Sequence, residues 1–276
     1  MGGPKSVTPG YVKPPEDPQD EDELTYETIV RGTSYKEWEP VGTNAQPGIM
    51  TRRPFGLLDV YVQPEGQLAL DYKLEISGFF NRSSQQSYLS ILEFEFGLSH
   101  RLQVDVLFAF KQEKYSAPIS PAYEELELRY AFADWGKIWG NPSIYLEWVR
   151  QHNGPQCFET KLLLTSMLSH EWYWGTNFAY EAELGGEFEH ELGFSAGIAK
   201  LFDGKFSIGG EVRGEAELEK EGAELEAEEL SAMAGPSFHV RLPGGMRLSL
   251  VPTAGIKYSD TSRAAYEVFL SFGRDN

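Results

Sequence analysis

Closely spaced acidic side chains are the residues of this sequence best suited to chemistry. Glu93 and Glu95 stand two apart, and paired carboxylates in unlike environments can serve as general acid and base. On a strand, however, residues two apart share one face, and a polar face is the ordinary state of a strand wall. Five histidines, His100, His152, His170, His190 and His239, are scattered without metal-ligand spacing. An acyl hydrolase built on a barrel wall needs a His-x-Ser pair. Here His190 is followed by Glu191, and His239 by Val240 and Arg241. The acidic run Asp17 to Glu23 lacks the glycine and closing glutamate of a calcium loop. A single cysteine, Cys157, excludes an intramolecular disulfide and a thiol metal cluster. No catalytic residue, metal ligand or cofactor is expected, and the chain does not read as an enzyme.

The elements carrying these side chains are strands. From Gln67 onward apolar residues alternate with polar or small ones. Leu102, Val104, Val106, Phe108 and Phe110 share one face, whereas Gln103, Asp105, Leu107, Ala109 and Lys111 share the other. Period two marks a strand with unlike faces. Twelve such runs are predicted, at 67–80, 88–98, 102–112, 122–134, 142–150, 157–168, 172–183, 188–202, 206–218, 230–242, 246–258 and 265–273. Their lengths suit tilted strands crossing a bilayer, which need about 9–11 residues. Tight turns such as Ser99-His100-Arg101, Ser169-His170-Glu171, Asp203-Gly204-Lys205 and Pro243-Gly244-Gly245 alternate with more polar links at Asn81 to Ser87, Glu113 to Pro121, Gln151 to Gln156 and Lys220 to Glu229. Such alternation, with an even strand count, is the pattern of a bacterial outer-membrane barrel. The predicted fold is therefore all-β: a transmembrane antiparallel up-and-down barrel of about twelve strands, with short periplasmic turns and longer extracellular loops.

If the apolar face meets lipid, the other face is the lumen. By parity it carries sixteen acids: Asp71, Glu75, Glu93, Glu95, Asp105, Glu125, Glu127, Glu147, Glu159, Glu181, Glu189, Glu191, Glu211, Glu215, Glu217 and Glu267. Seven bases accompany them: Lys73, Lys111, Arg129, Lys161, Arg213, Arg241 and Lys257. Mid-strand positions of the apolar face carry almost no charge, where a charged side chain in hydrocarbon costs roughly 2–4 kcal/mol. A soluble barrel would invert the two faces, but twelve strands around an apolar lumen would leave a void. Trp135, Trp139, Trp172 and Trp174 flank short turns and are expected at the membrane interface, where an apolar ring and a polar tip are both satisfied. Pro236 and Pro252 lie equally far from the Pro243-Gly244-Gly245 turn, so a regular hairpin sets them opposite each other with a local gap or bulge. The glutamate-rich stretch Glu215 to Leu230 reads either as strand extensions or as a short helix.

Residues 1–52 hold many prolines and acids without an apolar period, and are expected to form a flexible periplasmic tail; 53–276 form the barrel. The start Met-Gly-Gly-Pro-Lys has no apolar stretch of a signal peptide, so an export signal is expected to have been removed. No run of about eighteen apolar residues occurs, which excludes a transmembrane helix. The net charge of -18 argues against nucleic acid as a partner.

Three segments resemble a family. Arg53-Pro54-Phe55 through Pro64-Glu65-Gly66-Gln67-Leu68-Ala69-Leu70, the strand–turn–strand Leu92 to Val104, and Gly140-Asn141-Pro142-Ser143-Ile144 are similar to the corresponding parts of outer-membrane transporters of the MetA-pathway of phenol degradation type. The resemblance covers roughly 53–150, and its motifs are structural, so no functional residue carries over. It implies a barrel that passes small molecules. Leu24 to Gly32 resembles a TonB box, the extended segment through which energised receptors engage a periplasmic protein.

Two functions fit. One is a narrow outer-membrane channel for small neutral or cationic solutes, surrounded by membrane lipid and lipopolysaccharide. The other is a closed structural barrel whose loops or tail bind a periplasmic or outer-membrane protein.

Overall fold

The computed structural model describes residues 39–185, 190–202, 205–221, 224–258 and 262–275. Two short strands, β1 (Pro40–Val41) and β2 (Gln46–Pro47), pair with each other, and a 3-10 turn spans Gly48–Arg52. Twelve longer strands follow: β3 (Leu68–Phe79), β4 (Arg82–Gly97), β5 (Leu102–Gln112), β6 (Ser120–Ala131), β7 (Ser143–Gln151), β8 (Gln156–Met167), β9 (Trp172–Leu184), β10 (His190–Phe202), β11 (Phe206–Glu221), β12 (Glu224–Arg241), β13 (Met246–Tyr258) and β14 (Ser262–Asp275). Each pairs antiparallel with its sequence neighbours, and β14 pairs with β3, so the sheet closes into a barrel. Closure leaves no strand edge with unpaired amides.

The two faces separate as strand parity requires. Leu70, Tyr72, Phe96, Phe108, Leu126 and Phe272 point outward and are exposed, whereas Asp71, Glu93, Glu95, Asp105, Glu127 and Arg129 point inward and are at most 1% exposed. An apolar outside around a charged inside is the distribution of a transmembrane barrel and the reverse of a soluble one.

Several turns follow from local chemistry. His100 and Arg101, at φ 61° and 66°, form the β4–β5 turn in the left-handed region. Gly244 and Gly245, both at φ 75°, turn β12 into β13. Two links that the sequence suggests as loops are largely strand: β4 already begins at Arg82, and β11 and β12 run on to Glu221 and from Glu224. Glu215 to Leu230 is thus strand extension in its described residues. A register shift between Glu217 and Leu218 pairs Glu217 with Glu229 and Leu218 with Ala227, leaving Glu228 as a bulge. Opposite the prolines, the β12–β13 ladder lapses between Ala234↔Ala254 and Phe238↔Leu250. Neither proline can donate there. A side chain at Gly235 would run into the Pro252 carbonyl, so the two strands remain in close contact across the gap.

The segment 44–64, flanked by exposed residues at the rim, lies largely inside the barrel. Ile49, Met50, Phe55, Leu58 and Val60 form a buried cluster with Tyr173 of β9 and Ala199 of β10. The expected boundary between tail and barrel at residue 52 therefore falls within an inserted segment, because Ile49 and Met50 find apolar wall to cover them. Residues 1–38, including the stretch 24–32, lie outside the described residues.

Candidate functional site

The site is the half of the lumen at the rim where β3 begins and β14 ends, where the inserted segment meets the wall. The chain bends at Pro54, Gly56 and Leu57, and beyond the bends Leu58, Val60 and Val62 alternate with Asp59, Tyr61 and Gln63. It therefore has an apolar and a polar side, like a strand, but no ladder partner. The apolar side rests on β9 and β10, where glycines make room: a Cβ at Gly175 would lie 3.2 Å from Phe55 and Val60, and one at Gly197 2.9 Å from Phe55 and Leu58.

The polar side faces β3 to β6. Arg53 is held between Asp71 and Glu95. Arg247 of β13 also reaches Asp71 at 2.6 Å and Asp275 at 2.7 Å. Lys73 bridges Glu93 at 2.6 Å and Asp59 at 3.2 Å. The Tyr61 hydroxyl donates to Glu95 at 2.7 Å, and its ring lies between two guanidiniums, with Arg53 at 4.7 Å and Arg129 at 5.3 Å from the centroid. Such stacking of a cation on an aromatic face adds to the ion pairs.

Backbone groups that a ladder would satisfy are satisfied by wall side chains instead, as buried amides require. The Gly56 and Leu57 amides donate to the Glu211 carboxylate at 3.0 and 2.7 Å. Arg129 donates to the carbonyls of Asp59 at 3.1 Å and Tyr61 at 2.8 Å. The Gln63 amide donates to Gln103 at 2.5 Å, and Gln103 in turn donates to Asp105 at 2.7 Å. Gln46 hydrogen-bonds the Val62 backbone.

The inward acids divide by depth. Asp71, Glu93, Glu95, Asp105, Glu127, Glu147, Glu211 and Glu267 are buried, whereas Glu75, Glu125, Glu159, Glu181, Glu215 and Glu217 are half-buried towards the opposite rim, and Glu191 there is exposed. Glu189 lies outside the described residues. Of the bases, Arg129 pairs with Glu127 at 2.5 Å, Lys161 with Glu159 at 2.5 Å, Arg213 with Glu267 at 2.5 Å, and Lys257 with Glu267 at 2.9 Å. Lys111 sits at the far rim against Glu113 at 2.9 Å. Arg241 lies at the near rim and lines a small cleft with Lys205, Ser207, His239 and Arg247. Two carboxylate groups, Asp71/Glu93/Glu95 and Glu93/Asp105/Glu127, bring oxygens within 4.8 Å of one another. Side-chain cations, Arg53, Lys73, Arg129 and Arg247, stand against them.

Trp139 is 78% exposed and packs its ring 5.6 Å from that of Trp174 at the near rim, and Trp172 is exposed nearby. Trp135 differs from the expectation of an interface ring. It is half-buried, packs against the inserted cluster, and its amide donates to the Asn44 carbonyl at 2.6 Å. The inserted segment supplies a neighbour that strand parity cannot reveal.

Sequence reasoning missed Arg53, Asp59, Tyr61 and Arg247. Arg247 has the parity of Lys257 on the same strand, so the alternation was sufficient to find it. The alternation of Leu58, Val60 and Val62 was likewise visible, but it is shorter than a membrane-crossing run and is bracketed by Pro54 and Pro64.

No family model and no curated protein matches the sequence. Solved structures do match the fold. A structure of the NanC porin is 10% identical, with a TM-score of 0.54 over 74% of this chain and 98% of that one. An outer-membrane channel from Pseudomonas putida F1 is 10% identical, with a TM-score of 0.55 over 79% of this chain and 98% of that one. The chain is thus a closed twelve-stranded antiparallel barrel of the porin-like kind.

Proposed function

We propose that the protein lies in the bacterial outer membrane, surrounded by lipid and lipopolysaccharide, and forms a narrow channel for small neutral or cationic solutes. The observation that carries this reading is the closed barrel with an apolar outside and a lumen rich in carboxylates. Rings of carboxylates favour cations and repel anions in a narrow pore. The resemblance of residues 53–150 to the MetA-pathway transporters, and the channel with which the fold was matched in Pseudomonas putida F1, point the same way.

The inserted segment supports a second reading. Fully buried side chains such as Arg129, Tyr61 and Glu95 fill the near half of the lumen. A barrel filled in this way can act as a closed scaffold whose loops or N-terminal tail bind a periplasmic or outer-membrane protein. Conductance in planar bilayers separates the two. Discrete openings, in the full chain or after removal of residues 1–66, are expected of a channel; silent insertion of both would overturn it.

A further inference from the structure

The wall around the inserted segment has features that a simple filling does not require. Three wall side chains bond the backbone of residues 56–63: Glu211 takes two consecutive amides, Arg129 gives to two alternate carbonyls, and Gln103 takes a further amide. A fourth wall side chain, Glu95, reads side chains instead: it receives the Tyr61 hydroxyl and, with Asp71, flanks the guanidinium of Arg53. Groups that bond backbone amides and carbonyls recognise peptide as a class, whatever its side chains. Two carboxylates flanking one guanidinium recognise a cationic residue beside it. On the other side Gly175 and Gly197 leave hollows that apolar side chains fill.

We propose that the near half of the lumen wall, built from Asp71, Glu95, Gln103, Arg129 and Glu211, is a binding site for a peptide segment bearing an arginine, and that residues 53–63 of this chain occupy it in cis. The inference rests on the channel reading in naming the solute class, and its failure is separable from a failure of that reading. The occupant is an internal peptide carrying the arginine that the two carboxylates take. When it leaves, Asp71 and Glu95 lose Arg53; Asp71 keeps Arg247 of the wall, and Glu95 is left as a carboxylate that the arginine of another peptide can take.

The test uses the full chain in detergent, as wild type, as Arg53→Gln, and as Arg53→Gln combined with Gly56→Pro, which removes one donor to Glu211. Heat-modifiable migration on gels verifies that each barrel is closed. Chymotrypsin cleavage at Tyr61, whose bond to Val62 is the same in every variant, reports release of the segment. The probe is a fluorescein-labelled peptide of the sequence of residues 48–66, followed by anisotropy beside a counterpart with glutamate in place of Arg53 alone. In a variant that releases its segment, the arginine peptide is expected to bind at least ~10-fold more tightly than to wild type, because the apparent affinity scales with the fraction of vacant sites. The glutamate peptide is expected to bind at least ~10-fold more weakly than the arginine peptide. A released variant that binds neither peptide, or binds both alike, overturns the site. So does a segment that stays protected in both variants, since it is then part of the wall and not an occupant. Conductance is read separately on the same samples. Peptide binding in a silent barrel would overturn the channel and leave the site standing; a conducting barrel indifferent to peptide would do the reverse.

Discussion

Arg129 shows how much one buried side chain can hold. Its guanidinium pairs with Glu127 and approaches Asp105, donates to two carbonyls of the inserted segment, and faces the rings of Tyr61 and Tyr145. Removing one partner of a buried charge pair leaves the other uncompensated, at a cost of about 3–5 kcal/mol. Arg129→Ala is therefore expected to lower the urea midpoint of the barrel in lipid vesicles. Arg129→Lys is expected to restore little of the loss, because a single ammonium cannot reproduce the planar fork. A second residue-scale expectation concerns the hollow at Gly197. A valine there meets Phe55 and Leu58 at 2.9 Å or closer, and overpacking of this kind costs about 1–3 kcal/mol. Gly197→Val is expected to expose Phe55 to chymotrypsin. Gly210→Ala on the next strand meets only the Gly235 carbonyl at 3.9 Å and is expected to leave cleavage unchanged.

At the scale of elements, the truncation that the sequence suggests gains a sharper expectation. A chain beginning near Thr51 keeps every barrel strand but loses Gln46, Ile49 and Met50, of which Ile49 and Met50 belong to the lumenal cluster. Burying an aliphatic side chain contributes about 1.5–3 kcal/mol. Such a chain is expected to insert and close, yet to unfold at lower urea than one beginning at residue 39; equal midpoints would show that the cluster contributes nothing. The strands themselves were legible in the sequence because a membrane barrel writes its two environments into alternate residues. Leu102 to Gln112 and Met246 to Tyr258 coincide with the predicted runs to the residue. Legibility failed where the pattern is set by something other than lipid and lumen. Nothing in the period of residues 44–66 states that they pass inside, since an extended chain with one apolar side fits a sheet edge equally well. The contact of Trp135 with the inserted cluster, and the role of Arg53, were missed for that same reason.

The whole molecule is expected to resist SDS until boiled, and so to migrate faster on gels unheated, because every barrel strand is paired on both sides. Migration independent of heating would contradict the closed membrane barrel. Its electrostatics belong to this scale as well. The far half of the lumen holds half-buried or exposed glutamates at 75, 125, 159, 181, 191 and 215, against Lys161, Arg213 and Lys257. Any current is expected to show cation preference in a KCl gradient. The preference should be strongest near 0.01 M salt, where the screening length is on the order of 30 Å. Joint conversion of Glu93, Glu95, Glu125 and Glu127 to glutamine is expected to weaken it, and anion preference in the unmodified protein would refute the assignment.

A segment that precedes the first strand and ends inside a closed cylinder constrains the order of assembly. It can gather on the wall before the β14–β3 seam, which joins residues 69–79 to 265–275, completes the cylinder around it. Its contacts with β3 and β4 span 14 to 42 residues of chain, whereas those with β11 span 154 or more. Loop-closure entropy grows with the logarithm of that separation, so the short-range contacts form first. The first two strands thus gather the segment, and the last strands enclose it. Arg53→Gln is therefore expected to slow refolding into lipid, and Glu211→Gln chiefly to hasten unfolding, the division expected of early and late contacts. Stopped-flow tryptophan fluorescence resolves the two rates, and an effect of Glu211→Gln on refolding alone would reverse the order.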